Sequence, residues 1–100
     1  MRFEFYTRKL EELYTHEKGS HKYPPEVIEA FFNKMAVIDS ALDERDLYNM
    51  KSLHYEHLHG DQKDYRSIRI NKKWRLKIKV DKDESGNYLL IIDLENHYGD

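Results

Sequence analysis

The spacing of apolar residues divides the chain into a first half with helical periodicity and a second half that alternates as strands do. Residues 2–5 alternate, which predicts a short first strand. A helix is predicted next, with Thr7 as its N-cap and Gly19-Ser20 at its end. The apolar residues at helical spacing in this segment are Tyr6, Leu10, Leu13 and Tyr14.

A second helix is predicted to begin at Pro24-Pro25, followed by Glu26, because the fixed φ angle of proline suits the first helical turn. Its apolar stripe consists of Ile28, Phe31, Phe32, Met35, Ile38 and Leu42. An aromatic stripe at this spacing is typical of a packed core rather than of a ligand site. Residues 43–52, which follow, are predicted to form an irregular or one-turn segment.

From His54 onward the apolar period changes to two, which predicts strands at residues 55–59, 65–70, 74–80 and 88–94. Turns are predicted at Gly60-Asp61, at Asn71-Lys72-Lys73 and at Ser85-Gly86-Asn87. These elements predict an α+β fold, with two N-terminal helices packed on one face of a mainly antiparallel, twisted sheet of four to five strands. The other face is expected to stay open, and residues 1–100 are expected to form a single domain.

Positive charge is concentrated in residues 63–80, which hold eight Lys or Arg and one acid, Asp64. This window is net +7, while the whole chain is net −2. Within it, Trp74, Leu76, Ile78 and Val80 alternate with Lys73, Arg75, Lys77 and Lys79. Like charges about 6–7 Å apart along one strand face repel each other, so the row favours a polyanion such as the phosphate backbone of a nucleic acid. The alternative is a solvated strand that acids elsewhere balance.

Composition limits the class of protein further. There is no cysteine, which excludes disulfides and thiolate chemistry and suits a reducing cytoplasm. The start, Met1-Arg2-Phe3-Glu4, lacks the apolar run of a signal peptide, and no later segment is apolar enough to span a bilayer. We therefore expect a small cytoplasmic protein with no membrane partner.

Short motifs in the strand-rich half stand in a fixed order: Leu58, Gly60-Asp61, Ser67-Ile68-Arg69-Ile70-Asn71 and Trp74-Arg75. Together they resemble the HigB branch of the RelE-like toxins, the toxin halves of bacterial type II toxin–antitoxin pairs. Matching positions upstream are Pro25-Glu26, Ile38-Asp39, Ala41 and Asp46-Leu47. The resemblance covers about residues 20–97 and implies a RelE-like fold. It also implies cleavage of mRNA in the ribosomal A site, a HigA-like helix-turn-helix antitoxin as partner, and no small-molecule cofactor.

The chain departs from the family pattern at the positions that carry proton transfer. His59 stands where the family has a lysine, and Glu56 stands where some members have a histidine. The family commonly ends in Asp-Tyr-His, whereas this chain reads Glu95-Asn96-His97, followed by Tyr98. The terminal chemistry is therefore rearranged relative to the family.

Metal-free RNA cleavage needs a base for the 2′-hydroxyl, cations for the phosphorane charge and an acid for the leaving 5′-oxygen. Arg69 and Arg75 suit the second role, because a guanidinium fork matches phosphate oxygens, and by strand parity both face the open side. The available proton-transfer groups are Glu56, His59 and His97, while Tyr98 can stack on a base or orient one. The further candidates for RNA contact are Lys63, Arg66, Lys73, Lys77 and Lys79.

Three other interpretations remain open from the sequence. His57 and His59, with His54 nearby, could chelate a metal, but no further close-spaced ligand completes a set, so no metal site is predicted. The same fold could belong to a ParE-like toxin that inhibits DNA gyrase without nuclease activity. A non-catalytic RNA-binding module would keep the cationic strand and tolerate the loss of His59 and His97.

Overall fold

The computed structural model describes residues 1–96, which fold into three α-helices and a five-stranded sheet. In chain order the elements are β1 (Phe3–Phe5), α1 (Arg8–His16), α2 (Pro25–Ser40), α3 (Glu44–Asn49), β2 (Glu56–His57), β3 (Tyr65–Arg69), β4 (Trp74–Asp83) and β5 (Gly86–Asn96). The strand order is β1-β5-β4-β3-β2, with β1 parallel to β5 and the other neighbours antiparallel. The predicted α+β fold with a mainly antiparallel sheet is confirmed.

Helix α1 begins as predicted but ends earlier. The Thr7 hydroxyl accepts a hydrogen bond from the Leu10 N–H at 3.3 Å, which is the predicted N-cap. The helix ends at His16 rather than at Gly19, because Glu17 already adopts a left-handed conformation with φ 53°. Its N–H still reaches the Leu13 carbonyl at 3.0 Å, so the last turn closes without glycine.

Helix α2 has the predicted start at Pro25 and buries Val27, Phe31, Met35 and Ile38. Leu42, predicted as part of the same stripe, is 88% exposed because the helix ends two residues earlier. None of the helices formed by residues 1–96 is long and apolar enough to cross a membrane.

Helix α3 occupies the stretch predicted to be irregular or a single turn. Its N-cap is Asp43, whose carboxylate accepts the Arg45 N–H at 3.0 Å. Leu47 is its buried residue, and it anchors this six-residue helix to the core. The helix places Glu44 beside the edge of the sheet, where its carboxylate contacts Tyr55 and Arg66.

The helix-facing side of the sheet is apolar and completes the core. Its buried residues are Ile68, Leu76, Ile78, Leu89, Ile91 and Leu94. Strict alternation along β5 would not bury both Ile91 and Leu94, since they are three residues apart. A bulge resolves this conflict: Lys77 lies opposite Asp93, whereas the next residue, Ile78, lies opposite Ile91.

The hairpin between β3 and β4 forms where it was predicted. The Asn71 side-chain oxygen accepts the N–H groups of Lys73 and Trp74 at 2.8 and 2.9 Å. This turn fixes the register in which Arg69 lies opposite Arg75. It therefore sets the geometry of the open face.

Candidate active site

The open face of the sheet carries a row of cations on β4 between polar neighbours on both sides. On the β3 side, Arg69 lies opposite Arg75 and Ser67 lies opposite Lys77. On the β5 side, the partners of Arg75 and Lys77 are acids, Glu95 and Asp93. The sequence predicted a row of cations on one face of a single strand, and the structure shows that the neighbouring strand β5 places carboxylates next to this row.

A pocket of about 400 Å³ opens on this face, between the edge strand β2 with its following turn and the centre of the sheet. Its lining residues are Glu56, Leu58, His59, Gln62, Ser67, Arg75, Lys77 and Glu95. The volume lies within the range of small-ligand pockets, about 300–1,000 Å³. The pocket therefore brings two carboxylates and an imidazole to the same concave site as a guanidinium and an ammonium.

Strand β2 and the turn after it set the outer wall of the pocket. Glu56 pairs with Ser67 in the sheet, and the Leu58 N–H donates to the Tyr65 carbonyl at 3.0 Å. Gly60 then takes φ 65°, a left-handed conformation that glycine adopts without strain. This tight turn leaves His59 exposed at the rim of the pocket.

The two arginines of the open face are available to an anion. Among residues 1–96, neither Arg69 nor Arg75 takes part in an ion pair. The Lys77 ammonium lies 4.3 Å from the centre of the Tyr65 ring, a cation–π contact that leaves other directions of the ammonium open. These cations can receive phosphate oxygens without first giving up a carboxylate that belongs to residues 1–96.

The pocket unites four of the residues singled out from the sequence: Glu56, His59, Arg75 and Lys77. Arg69 shares the open face, as strand parity predicted, but lies outside the pocket lining. The structure places Lys63 in the turn before β3, Lys73 at the β3–β4 hairpin and Lys79 opposite Tyr65. His97 and Tyr98 lie outside the described residues. The roles of all these residues in RNA contact or catalysis stay predictions.

Arg66 is separated from the other RNA-contact candidates. Its Nε donates to Glu44 Oε2 at 2.8 Å, and its side chain is only 19% exposed. Burial opposes the charge of Arg66 most strongly, but the Glu44 carboxylate together with Tyr55 and Tyr48 outweighs this effect, so the pKa of the guanidinium lies above its ordinary value. Arg66 lies two residues before Ile68, so the alternation of side chains along β3 already predicts that it faces the helices with Ile68 rather than the open side with Arg69.

Three polar lining residues were not singled out as candidates from the sequence. Ser67 is a buried residue on the open face of the sheet. It lies two residues before Arg69 on the same strand, so the alternation of side chains could have placed it on this face. Glu95 was aligned with the terminal family motif but not assigned to the site, because its register against Arg75 depends on the bulge in β5. Gln62 belongs to a turn, where alternation gives no signal.

The histidines within residues 1–96 do not form a metal centre with one another. His59 lines the pocket, whereas the His57 ring is hydrogen-bonded to the Lys63 carbonyl. No three His, Cys, Asp or Glu side chains within residues 1–96 are grouped so that they could hold a metal ion. The side chains that the pocket gathers are instead suited to charge stabilisation and proton transfer.

Comparison with known proteins identifies a family, a relative and a solved structure that this chain is similar to. A family model described as "RelE-like toxin of type II toxin-antitoxin system HigB" matches residues 3–97. Toxin HigB-1 of Vibrio cholerae serotype O1 is 37% identical over 76 residues, which is 76% of this chain and 80% of that protein. A solved structure of a YoeB/ParE toxin from Agrobacterium tumefaciens aligns with a TM-score of 0.57 and 19% identity, covering 98% of this chain and 100% of that one. At that identity, the structural match shows the fold alone.

Proposed function

The chain belongs to the HigB-like toxin family of type II toxin–antitoxin systems, and from that premise we propose that it is a ribosome-dependent endoribonuclease of mRNA. The observation that carries this proposal is the pocket that gathers Glu56, His59, Arg75 and Lys77 on the open face. Inhibition of gyrase by binding requires no proton-transfer groups, whereas cleavage of RNA requires a base and an acid as well as cations.

In the proposed reaction, Arg75 and Lys77 bind the non-bridging oxygens of the scissile phosphate and stabilise the charge that develops on them. Glu56 accepts the proton of the 2′-hydroxyl while its oxygen attacks phosphorus. The bond to the 5′-oxygen breaks, and an imidazolium, that of His59 or His97, gives this oxygen a proton. The products are a 2′,3′-cyclic phosphate and a 5′-hydroxyl, and the proposed reaction uses no metal ion or cofactor.

The acids of β5 support dependence on the ribosome. Glu95 and Asp93 lie opposite Arg75 and Lys77, so they weaken the attraction of this face for free RNA. An mRNA that the ribosome already holds in place needs less electrostatic attraction to this face than free RNA does, because the ribosome supplies its positioning. The pocket then contributes the contact with the scissile phosphate and the chemistry, and the outlying lysines Lys63, Lys73 and Lys79 contribute contacts along the RNA.

A type II toxin is paired with an antitoxin, so this chain has a protein partner. We propose a HigA-like helix-turn-helix protein, acting in the cytoplasm where mRNA and ribosomes are found. It would present acidic and apolar groups to the Arg69/Arg75 face, or bind the helices and so keep the ribosome away. Co-expression with the adjacent open reading frame should restore growth and give a complex that is stable on gel filtration.

The direct test is cleavage of a defined mRNA by the purified protein, with and without programmed ribosomes, followed by mapping of the new ends. Wild type should cut only with ribosomes, and Glu56→Gln and Arg75→Ala should each slow the reaction by roughly 10²-fold or more. Lys51→Ala, which like Arg75→Ala removes a positive charge but at an exposed position before β2, is the control for the arginine variant and should cleave as wild type does.

Two results would contradict the proposal in different ways. Inhibition of gyrase without mRNA cleavage would identify a ParE-like toxin. Salt-sensitive RNA binding without cleavage, and without any effect of Glu56→Gln, would identify an RNA-binding module.

A further inference from the structure

A single carboxylate oxygen joins two strands behind the pocket. Glu44 Oε2 accepts the Tyr55 hydroxyl at 2.7 Å and the Arg66 Nε at 2.8 Å. Tyr55 directly precedes β2, and Arg66 belongs to β3. Glu44 itself lies in the first turn of α3, so the contact ties a helix to both strands at once.

Strand β2 needs such a contact because its own pairing is minimal. It is two residues long, lies at the edge of the sheet and pairs with β3 alone. Short pairings of this kind are marginally stable by themselves. Yet β2 carries Glu56 and leads directly to His59, so the placement of both candidate proton-transfer groups depends on it.

The alternation of side chains places the Glu44 contact on the side of the sheet away from the pocket. Glu56 pairs with Ser67, and both line the pocket. Tyr55 and Arg66, the residues immediately before these two, therefore point to the opposite face. Glu44 Oε2 thus accepts hydrogen bonds from the two residues that precede Glu56 and Ser67, on the side of the sheet away from the pocket.

The environment keeps this contact formed. Tyr55 is only 6% exposed, and its ring packs edge to face against Tyr48 with centroids 4.7 Å apart. Burial, followed by the charge and hydrogen bond of Glu44, raises the pKa of Tyr55, so its hydroxyl keeps the proton that it donates. The Arg66 guanidinium is permanently charged and donates to the same oxygen.

We propose that Glu44 is a positioning residue of the active site, which fixes β2 against β3 so that Glu56 and His59 face Arg75. This inference rests on the proposed nuclease function. Glu44 lies outside the pocket lining and acts through Tyr55 and Arg66. Its loss would loosen the wall that holds the proton-transfer groups and leave the cations on β4, which β3 and β5 flank, in place.

This arrangement predicts a separation of kcat from KM. Proton transfer requires hydrogen-bond distances, and misplacement by about 1 Å costs roughly 10²-fold in rate. Substrate binding depends instead on Arg75 and Lys77, whose strand is central in the sheet. A merely structural residue would lower the activity only in proportion to the fraction of unfolded protein.

The test compares Glu44→Ala, Glu44→Gln and Tyr55→Phe with a matched control, Glu29→Ala, which removes an exposed carboxylate from α2. Cleavage on programmed ribosomes gives kcat and KM, and thermal unfolding reports the folded fraction. Hydrogen exchange of the Leu58 N–H, which donates to the Tyr65 carbonyl, reports the β2–β3 contact directly in the free protein.

Glu44→Ala should lower kcat by about 10- to 100-fold with KM within about twofold of wild type, and it should speed the exchange of the Leu58 N–H. Glu44→Gln keeps an acceptor oxygen and should recover most of kcat. The kcat of Tyr55→Phe should lie between those of Glu44→Ala and wild type, and Glu29→Ala should match wild type. Equal kcat in Glu44→Ala and wild type would overturn the inference. So would a Gln variant as impaired as Ala, or a fall in kcat that only follows the folded fraction.

The exchange experiment separates this inference from the proposed function. If wild type does not cleave mRNA, the nuclease proposal fails, and Leu58 exchange still decides whether Glu44 holds β2. Unchanged exchange in Glu44→Ala would then overturn the positioning role by itself. Faster exchange in an active enzyme with an unchanged kcat would overturn it as well.

Discussion

Arg75 of β4 and Glu95 of β5 lie directly opposite each other on the open face, and both line the pocket. Among residues 1–96 they do not form an ion pair, so each remains available to a substrate. Glu95 nevertheless lowers the positive potential at the point where a phosphate would bind Arg75. Arg75 thus favours the binding of RNA, and the carboxylate of Glu95, the second one in the pocket, reduces that affinity.

Arg75→Ala should weaken RNA binding by about 1–3 kcal/mol, because a charge-assisted contact with phosphate is lost. Binding should also depend less steeply on salt, with a slope reduced by about one for each phosphate contact removed. Affinity measured across a series of salt concentrations, on RNA and on programmed ribosomes, checks both effects.

Arg75→Lys is the informative control, since it keeps the charge and removes the guanidinium fork. It should restore most of the salt slope but not the full cleavage rate. Binding by wild type that does not respond to ionic strength would refute the phosphate-contact role of the cationic strand.

Glu95→Gln should have the opposite effect on affinity. Removal of its charge raises the potential next to Arg75 and Lys77, so RNA should bind more tightly and with a steeper dependence on salt. Glu4→Gln, at an exposed acid on the outer strand β1, provides a control of equal charge. Equal gains in affinity from both variants would show that only net charge matters and that the position of Glu95 does not.

The sequence predicted the elements whose signals are local. The Pro24-Pro25 entry located the start of α2, and the alternation around Trp74 located β4 and its open face. It also placed Arg69 and Arg75 on the same side of the sheet, which the register confirms. These features depend on periodicity and on proline geometry, and both act over a few residues.

The features that the sequence did not predict depend on contacts between distant residues. Helix α3 has no repeating apolar stripe, and it is stabilised by the Asp43 cap and by burial of Leu47. The contact between Glu44 and Arg66 joins residues 22 positions apart. The place of Glu95 in the pocket depends on the bulge in β5, which no local pattern marks.

Tyr55→Phe should change the stability of the protein at alkaline pH. The raised pKa of buried Tyr55 means that the unfolded chain loses this proton first, above about pH 10, while the folded chain retains it. The stability that Tyr55 contributes is therefore complete below about pH 10 and decreases as pH rises towards the folded pKa, by up to about 1.4 kcal/mol per pH unit. Phenylalanine cannot ionise, so the variant should lack this component.

Free energies of unfolding measured between about pH 8 and pH 11 for both proteins give the comparison. The difference between wild type and Tyr55→Phe should be constant at the lower end of this range and should move in favour of the variant at the upper end. Parallel curves throughout would mean that Tyr55 ionises equally in the folded and unfolded chain, and the buried contact with Glu44 would be excluded.

His97→Gln distinguishes the nuclease from the binding-only alternatives. Strand β5 ends at Asn96, which pairs with Trp74 next to Arg75, and His97 is the residue that follows. If its imidazolium protonates the leaving 5′-oxygen, the variant should fold and bind the antitoxin normally and should cleave roughly 10²–10⁴-fold more slowly. Loss of folding together with activity would instead identify His97 as a structural residue.

An RNA with sulfur in place of the scissile 5′-oxygen separates His97 from His59 as the acid. A thiolate leaves without protonation, so the substrate should restore the rate of a variant that lacks only the general acid. We expect His97→Gln to recover on this substrate and Glu56→Gln to stay slow, because the base is still required at the 2′-hydroxyl. If this substrate restores the cleavage rate of His59→Gln and not that of His97→Gln, the general acid is His59, at the rim of the pocket. Full cleavage of the ordinary RNA by both histidine variants would leave charge stabilisation by Arg75 and Lys77 as the principal contribution to the reaction.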